Sequence, residues 1–250
     1  MRLAKPVSRT SFGQPSTTFH LTTDRIWEAV LMKLQGIPAI ANFISTELPA
    51  DRRALVGIDG VDGSGKTTFA NALSASISNR STVQIHLDDF LNPPEIRHRR
   101  GRHSPEGFWF DSYDYEALWR DVIEPLLPSG TGVYRAASFD PSQNKAVRPA
   151  PQQCATDAVV IIEGLFLHRD ELVDVWDFSL FLDVPFDQTA RRMAIRYGSD
   201  ANPEHPSMRR YVGGQRMYFA TVRPWERADL LIDNPEFPRV IDPAPSSAVR

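Results

Sequence analysis

The sequence predicts an α/β fold in which a doubly wound, parallel five-stranded sheet carries helices on both faces. From residue 53 onwards, short apolar runs rich in β-branched residues alternate with amphipathic segments. Several of these runs are apolar at successive positions, which is typical of strands that are buried on both faces. Regular alternation of strand and helix favours parallel strands joined by crossover helices.

The strands and helices of this domain are predicted from local periodicity. The predicted strands are 54–58, 82–87, 158–162, 178–184 and 228–233. The predicted helices are 66–78, 114–127, 186–197 and 207–221. The first of these helices places Phe69, Leu73 and Ile77 on one face, as expected for a helix that covers a sheet.

Two flanking segments differ from this domain in their sequence pattern. We expect a partly helical N-terminal extension over 1–50, the α/β domain over 51–234 and a proline-rich tail over 235–250. Apolar residues from Ile26 to Leu34 are spaced for one helix, and a second helical piece is expected to end near Leu48. The extension is expected to pack on the core, and the alternative is a dimer contact or a partner-binding helix.

Composition narrows the classes of protein and of partner. Hydrophobic residues make up 42% and charged residues 24% of the 250 positions, which is ordinary for a globular protein. The net charge of −3 predicts no nucleic-acid partner and no anionic membrane partner. Cys154 is the only cysteine, and no apolar run is long enough for a signal peptide or a spanning helix. These features predict a cytoplasmic location.

The loop after the first predicted strand matches the pattern G-x-x-x-x-G-K-[ST]. The chain has four lysines against 24 arginines, so the lysine within this pattern is unusual. Glycines let backbone N–H groups turn around a phosphate, and the N-terminus of the following helix adds the positive end of its dipole. We therefore predict a P-loop NTPase fold that binds a nucleoside triphosphate through Gly60, Asp62, Gly63, Ser64, Gly65, Lys66, Thr67 and Thr68.

Acidic residues follow two of the other predicted strands. Lys66 is expected to bridge the β- and γ-phosphates and the Thr67 hydroxyl to ligate Mg²⁺. Asp88 and Asp89 follow the second strand, where one carboxylate could take the proton of an acceptor hydroxyl or hold Mg²⁺ through water. Glu163 ends the third strand and could hold Mg²⁺, or it could cap the strand.

Arginines occur in two groups that suit a moving phosphoryl group. Residues 97–103 read RHRRGRH, and this run is equally compatible with a solvated loop. Arg192 and Arg196 lie four apart on one face of a predicted helix, with Arg191 beside them. A mobile helix with arginines on one face could neutralise charge during phosphoryl transfer.

Together, these segments resemble the uridine kinase family of P-loop kinases, which is related to phosphoribulokinase and bacterial pantothenate kinase. The resemblance covers roughly residues 53–234. It is carried by GVDGSGKTT, LDDF, FDSYDYEAL, VYRAASFD, VVIIEGLFL, the arginine-bearing helix, YFATVRP and ADLLIDN.

The resemblance implies a role for each matching residue. Asp88 would be the general base, and Mg²⁺ would be held by Thr67, Glu163 and Asp88. Asp111 would bind ribose hydroxyls, and Tyr134 and Asp140 would line the acceptor pocket. Arg192 and Arg196 would reach over the phosphates from a lid.

The resemblance also implies an activity. It predicts an ATP·Mg²⁺-dependent kinase for a small metabolite, and the leading acceptor is the 5′-hydroxyl of uridine or cytidine. Pantothenate, nicotinamide riboside, a sugar phosphate or glycerate is the alternative acceptor, and a non-catalytic ATP-binding regulatory protein is the alternative class. A homo-oligomer is compatible with the sequence.

Overall fold

The computed structural model describes residues 36–234 and 239–240. Its strands are β1 (Ala54–Gly60), β2 (Thr82–His86), β3 (Val133–Tyr134), β4 (Phe139–Asp140), β5 (Lys145–Ala146), β6 (Gln152–Gln153), β7 (Val159–Gly164), β8 (Phe178–Asp183), β9 (Leu230–Asp233) and β10 (Arg239–Val240). Its α-helices are α1 (Gly36–Glu47), α2 (Lys66–Ser76), α3 (Pro94–Arg97), α4 (Pro105–Asp111), α5 (Tyr115–Leu118), α6 (Glu124–Leu126), α7 (Phe186–Tyr197), α8 (Arg209–Val222) and α9 (Pro224–Arg227).

The central sheet confirms the five predicted parallel strands. Its order is β10-β9-β8-β1-β7-β2, and β1 pairs in parallel with both β7 and β8. The sixth strand, β10, is antiparallel to β9 at the edge of the sheet. It was not predicted, because a two-residue strand in a proline-rich segment carries no periodic signal.

One face of the sheet is covered by α1 and α2. Ile40, Phe43 and Ile44 of α1 pack in one apolar cluster with Phe69 and Leu73 of α2. The expectation that this part of the N-terminal region packs on the core is therefore confirmed for residues 36–47. The helix predicted between Ile26 and Leu34 lies outside the described residues.

The other face is covered by α4, the helical segment 115–126, α7 and α8. Phe108, Leu118, Phe186 and Phe219 belong to a single apolar cluster on this face. The segment 115–126 contains a π-helical turn, Trp119–Ile123, between α5 and α6. Pro125 has no N–H to donate to a regular helical ladder, which favours an irregular turn at this point.

Close packing at the end of β7 positions the turn Leu87–Phe90, which follows β2. A Cβ atom on Gly164 would lie 2.3 Å from the Cβ atom of Leu87, so only glycine lets the turn approach the strand. Asp88 lies in this turn, and Glu163 precedes the glycine. Gly164 therefore brings two acidic positions to one edge of the sheet.

No helix among residues 36–234 has the length and apolar character needed to cross a membrane.

The contribution of α1 to the fold can be measured directly. Ile44 is fully buried in the apolar cluster against α2, so Ile44→Ala should lower the free energy of unfolding by about 2–5 kcal/mol. Asn42→Ala, at an exposed position of the same helix, should change it by less than about 0.5 kcal/mol. Urea unfolding followed by circular dichroism measures both values. Equal, small effects would mean that α1 does not belong to the cooperative core.

Candidate active site

A cavity of about 530 Å³ opens where β1, β2 and β7 end. Ligands of open α/β sheets bind at the carboxyl ends of the strands, and this volume is ordinary for a small-molecule site. The walls come from the loop after β1, from Asp88 after β2 and from Glu163 at the end of β7. Residues of α7 and α8 and of the segment 97–113 close the remaining sides.

The glycine-rich loop has the geometry of an anion cradle. Gly65 precedes α2 with a φ of 94°, in the left-handed region that favours glycine. The side chain of Asn234 donates a hydrogen bond of 2.7 Å to the Ser64 carbonyl, which fixes the loop against the end of β9. Lys66 is 9% exposed, and its Nζ donates a hydrogen bond of 2.9 Å to the Val61 carbonyl. The N-terminus of α2 and the lysine thus converge on one point of the cavity.

A buried carboxylate fixes the strand from which this loop departs. Asp59 is fully buried and accepts hydrogen bonds from the Gly60 N–H, at 2.7 Å, and from the Tyr218 hydroxyl, at 2.5 Å. The backbone and Nδ1 of His168 also bond to this carboxylate. Burial raises the pKa of Tyr218 well above its ordinary value, so its hydroxyl remains a donor. The aspartate therefore ties the loop to α8.

Asp62 in the loop is held by a glutamine of α8. The Asp62 N–H donates to Gln215 Oε1 at 2.8 Å, and Gln215 Nε2 approaches Asp62 Oδ2 at 3.4 Å. Burial and the nearby charge of Asp88 raise the pKa of Asp62 to about 6, against the opposing charge of Lys66. The free protein therefore holds a carboxyl at this place that titrates near neutral pH.

Thr67 and Glu163 form an oxygen pair suited to Mg²⁺. Thr67 Oγ1 donates to Glu163 Oε1 at 2.8 Å, and His86 Nδ1 lies 2.8 Å from the same oxygen. Burial alone would raise the pKa of Glu163, but the hydrogen bond from His86, the charge of Lys66 and the hydrogen bond from Thr67 hold it below its ordinary value. An ionised carboxylate beside a hydroxyl fits Mg²⁺, which takes few protein ligands and completes its shell with phosphates and water.

Among the residues that the structure describes, no three or more histidine, cysteine, aspartate or glutamate side chains form a group that could hold a metal ion. The oxygen pair instead lies beside the phosphate cradle, in the same cavity.

The two aspartates after β2 differ in position. Asp88 is exposed and lines the cavity, and it accepts a hydrogen bond of 3.0 Å from the Tyr113 hydroxyl. Burial raises the pKa of Tyr113 well above its ordinary value, so the tyrosine stays a donor. Asp89 is half-buried and is not part of the cavity lining, and burial raises its pKa. Of the two candidates for the base, only Asp88 faces the space where an acceptor would lie.

The two arginines of α7 have different surroundings. Arg192 donates to the Gly63 carbonyl at 3.2 Å and to the Asn234 carbonyl at 3.1 Å, so it braces the loop from outside. Arg196 lines the cavity and lies over the Tyr197 ring at 4.9 Å. Arg192 therefore contacts the loop without lining the cavity, whereas Arg196 lines it. That the two arginines reach over the phosphates stays a prediction.

The three residues predicted to contact the acceptor lie outside the cavity lining. Asp111 is 1% exposed and its two oxygens accept hydrogen bonds from Arg99 and, at 2.8 Å, from Arg100. The Tyr134 hydroxyl donates to Gln152 Oε1 at 3.1 Å. Asp140 accepts hydrogen bonds within its own turn, from Ser142 and Gln143. Their predicted contacts with an acceptor stay predictions, since each side chain already has protein partners.

Sequence reasoning missed several residues that line or support this cavity. They are Tyr113, Gln215, His86, Arg210 and Tyr211. Arg97 and His98 also line the cavity, and they belong to the run 97–103 that the sequence singled out. His86 directly precedes the LDDF motif, and Tyr113 lies within FDSYDYEAL. The side chains of α8 reach the cavity through packing, to which local sequence gives no clue.

The aromatic segment 108–113 serves the core more than the cavity. Trp109 is buried and packs on Phe166 at 4.8 Å and on Tyr218 at 5.2 Å between ring centroids. Phe108 lines the cavity and meets the Tyr211 ring edge-on at 5.1 Å. Phe108, and not Trp109, is therefore the aromatic residue of this segment that could touch a ligand beside Tyr113.

Comparison with known proteins gives a family match over this region. The model of the phosphoribulokinase/uridine kinase family matches residues 55–196, which include the glycine-rich loop, LDDF and Glu163. The match also includes Arg192 and Arg196 of α7.

Individual relatives are similar at lower identity. The uridine kinase of Lactiplantibacillus plantarum is 26% identical over 182 residues, which are 72% of this chain and 81% of that protein. Human nicotinamide riboside kinase 1 is 28% identical over 144 residues, which are 57% of this chain and 64% of the human protein, less than two thirds of its length. The solved structure of a possible uridine kinase from Bacillus stearothermophilus has a TM-score of 0.63 at 24% identity, covers 79% of this chain and 97% of that chain, and supports the fold.

The raised pKa of Asp62 should leave a signature in the pH dependence of stability. The folded protein binds this proton more tightly than the unfolded chain, so the free energy of unfolding should fall as pH rises from about 4 to about 6. Asp62→Asn should remove this part of the slope, whereas Asp157→Asn, at an exposed aspartate, should keep it. Urea unfolding at half-unit pH steps measures the slopes. Identical slopes in the wild type and Asp62→Asn would contradict the shift.

Proposed function

The chain belongs to the phosphoribulokinase/uridine kinase family and is accordingly an ATP-dependent phosphotransferase with an alcohol as acceptor, and we propose that this cavity transfers the γ-phosphoryl group of ATP to a hydroxyl of a small metabolite. One observation carries the proposal. The phosphate cradle with Lys66, the oxygen pair of Thr67 and Glu163 and the exposed carboxylate of Asp88 all line the same cavity.

The cradle would hold the triphosphate of ATP. Backbone N–H groups of the loop and the first turn of α2 would contact the phosphate oxygens, as at other helix N-termini. Lys66 would exchange its bond to the Val61 carbonyl for the β- and γ-phosphates. Arg192, bonded to the Gly63 carbonyl, would keep the loop in the binding conformation.

Thr67 and Glu163 would hold Mg²⁺ beside these phosphates. When bound, the metal would neutralise negative charge on the β- and γ-phosphate oxygens. His86 would hold Glu163 in place through its hydrogen bond to Oε1 and so orient a ligand without contacting the metal.

Asp88 would act as the general base. The acceptor hydroxyl would give its proton to the free carboxylate oxygen of Asp88 as the bond from the acceptor oxygen to the γ-phosphorus forms. The bond between that phosphorus and the bridging oxygen breaks, and ADP leaves with its electron pair. Tyr113 donates to Oδ1 of Asp88, which leaves Oδ2 to face the acceptor.

Arg196 would contribute charge from α7 during transfer. Arg196 lines the cavity, and its positive charge would stabilise the negative charge on the phosphoryl group during transfer. Closure of α7 over bound ligands would exclude water, which would otherwise compete with the acceptor and hydrolyse ATP.

Two acceptor classes remain to be compared. The names of the relatives support a nucleoside, and the acceptor predicted from the sequence is the 5′-hydroxyl of uridine or cytidine. A ribose on Asp111 would have to displace Arg99 and Arg100 from that carboxylate. This favours the second class, an acceptor without a nucleoside base, such as pantothenate, a sugar phosphate or glycerate. The presence of Asp88, Glu163 and Arg196 in one cavity argues against a non-catalytic regulatory protein.

The expectations for location and partners stay predictions: a cytoplasmic location, a small-molecule partner, no nucleic acid and no membrane.

Removal of the lysine or the base should abolish transfer while the fold is kept. Lys66→Ala and Asp88→Asn should each lower kcat/KM by about 10³-fold or more, since each removes stabilisation present only during phosphoryl transfer. Lys145→Ala, at an exposed lysine outside the cavity, should leave turnover unchanged. ADP release in a coupled assay, with circular dichroism as the test of folding, measures the effect. Near-normal turnover in Asp88→Asn would move the role of base to Asp89.

The proposed Mg²⁺ ligand has a separate test. Glu163→Gln keeps the size of the side chain but removes its charge, so the Mg²⁺ concentration for half-maximal activity should rise by about tenfold or more. His86→Gln should raise it less, since that residue would act through Glu163. Titration of Mg²⁺ at saturating ATP measures both. An unchanged Mg²⁺ requirement in Glu163→Gln would remove this residue from the metal site.

A further inference from the structure

The cavity lining contributed by the segment 97–98 and α8 contains two arginines without a carboxylate partner. Arg97 and Arg210 both line the cavity, and Arg210 Nη2 donates to the Arg97 carbonyl at 2.9 Å. Arg210 is only 5% exposed. Within residues 36–234, neither guanidinium forms an ion pair. Their partners are neutral: Arg210 also donates to the carbonyls of Gly101 and Ser104, and Arg97 Nη2 donates to Asn144 Oδ1. The cavity lining thus holds two cations that have no carboxylate partner.

The neighbouring arginines of the same loop differ in this respect. Arg99 and Arg100 are both paired with the carboxylate of Asp111, and none of these three residues lines the cavity. The chain therefore neutralises two arginines of the run 97–103 internally and leaves Arg97 to the cavity. The nearby carboxylates of Glu95 and Asp111 do not line the cavity, whereas Tyr211, which acts more strongly on the pKa of Arg97 and of Arg210, does.

Polar atoms without partners occur at the same place. Arg97 Nε and His98 Nδ1 are buried and have no hydrogen-bond partner among the described residues. Buried polar groups without partners are costly, and a buried cation without an anion is more so. Burial lowers the pKa of Arg97 and of Arg210 from the ordinary value, which reflects this cost. A bound anion would offset the charge of these two arginines.

We propose that the acceptor alcohol carries an anionic group, a carboxylate or a phosphate, that binds between Arg97 and Arg210 while its hydroxyl lies on Asp88. This inference rests on the proposed phosphoryl transfer and names the class of acceptor. The fixed fork of an arginine matches the two oxygens of a carboxylate or phosphate.

The same charges disfavour the nucleosides in the names of the relatives. A neutral nucleoside would leave both guanidinium groups without an anion. Nicotinamide riboside carries a positive ring, which Arg97 and Arg210 would repel. Specificity would then come as much from rejection of neutral and cationic acceptors as from attraction of anionic ones.

Matched pairs of acceptors test the proposal. The pairs are D-glycerate against glycerol, pantothenate against its alcohol analogue pantothenol, and ribose 5-phosphate against ribose, with uridine and nicotinamide riboside as nucleoside arms. At least one anionic member should support ADP release with a kcat/KM about tenfold or more above its uncharged partner and above both nucleosides. The carboxylate and phosphate pairs decide which oxyanion the site takes. A neutral nucleoside as the best acceptor would overturn the proposal.

Variants assign the effect to the arginine. Arg97→Gln should raise KM for the best anionic acceptor by about tenfold or more, with kcat and the KM for ATP nearly unchanged. Arg97→Lys, which keeps the charge, should recover part of the loss. Arg102→Gln removes a charge from an exposed position of the same loop outside the cavity and serves as the matched control. Equal effects of Arg97→Gln and Arg102→Gln would contradict a specific contact.

A binding measurement separates this inference from the proposed function. Thermal unfolding is followed with a saturating non-hydrolysable ATP analogue and Mg²⁺, which fill the phosphate cradle, and the same acceptor pairs are then added. Ligands that bind only the folded protein raise its melting temperature. Anionic acceptors that stabilise the wild type but not Arg97→Gln, without any ADP release, would refute phosphoryl transfer and keep the anion site. ADP release with nucleosides, together with no stabilisation by any anionic acceptor, would refute the anion site and keep the transfer.

Discussion

The register of β7 between β1 and β2 is the constraint on which the candidate site depends. Glu163 is paired with Ile58 of β1 on one side and with His86 of β2 on the other. This register places its carboxylate within hydrogen-bonding distance of both His86 and Thr67 at the start of α2. A shift by one residue would turn Glu163 to the opposite face of the sheet and would separate the carboxylate from the phosphate cradle.

Close packing and electrostatics act together around this register. The absence of a side chain at Gly164 lets the turn after β2 approach the sheet, so Asp88 and Glu163 line the same cavity. Burial is the main cause of the raised pKa of Asp62, which lines the cavity too, and the like charge of Asp88 adds to it. Lys66 offsets part of this charge. Arg97 and Arg210 line the same cavity as these acids, so the cavity would suit a ligand with both an alcohol and an anion.

Much of the fold and part of the site could be predicted because their signals are local. Apolar runs and helical periodicity located the five parallel strands and the helices α2, α7 and α8. The glycine-rich loop was predicted because its chemistry needs a fixed spacing within one turn of chain. Asp88 and Glu163 were predicted to lie together because both follow strands of a parallel sheet. The edge strand β10 and the π-helical turn were missed, since neither depends on a periodic pattern.

The amino-acid sequence by itself determined the fold class, the phosphate-binding loop and the acidic positions beside it. Each of these follows from residues that are close together in the chain. Only the tertiary structure decided which side chains share the cavity. It placed Asp88, and not Asp89, on the open side, engaged Asp111 with Arg99 and Arg100, and brought Arg210 of α8 beside Arg97. These choices depend on the packing of α4 against α8 and on the balance of charge across distant segments. Contacts of this kind are set by the shape of the folded chain, and no spacing along the sequence records them.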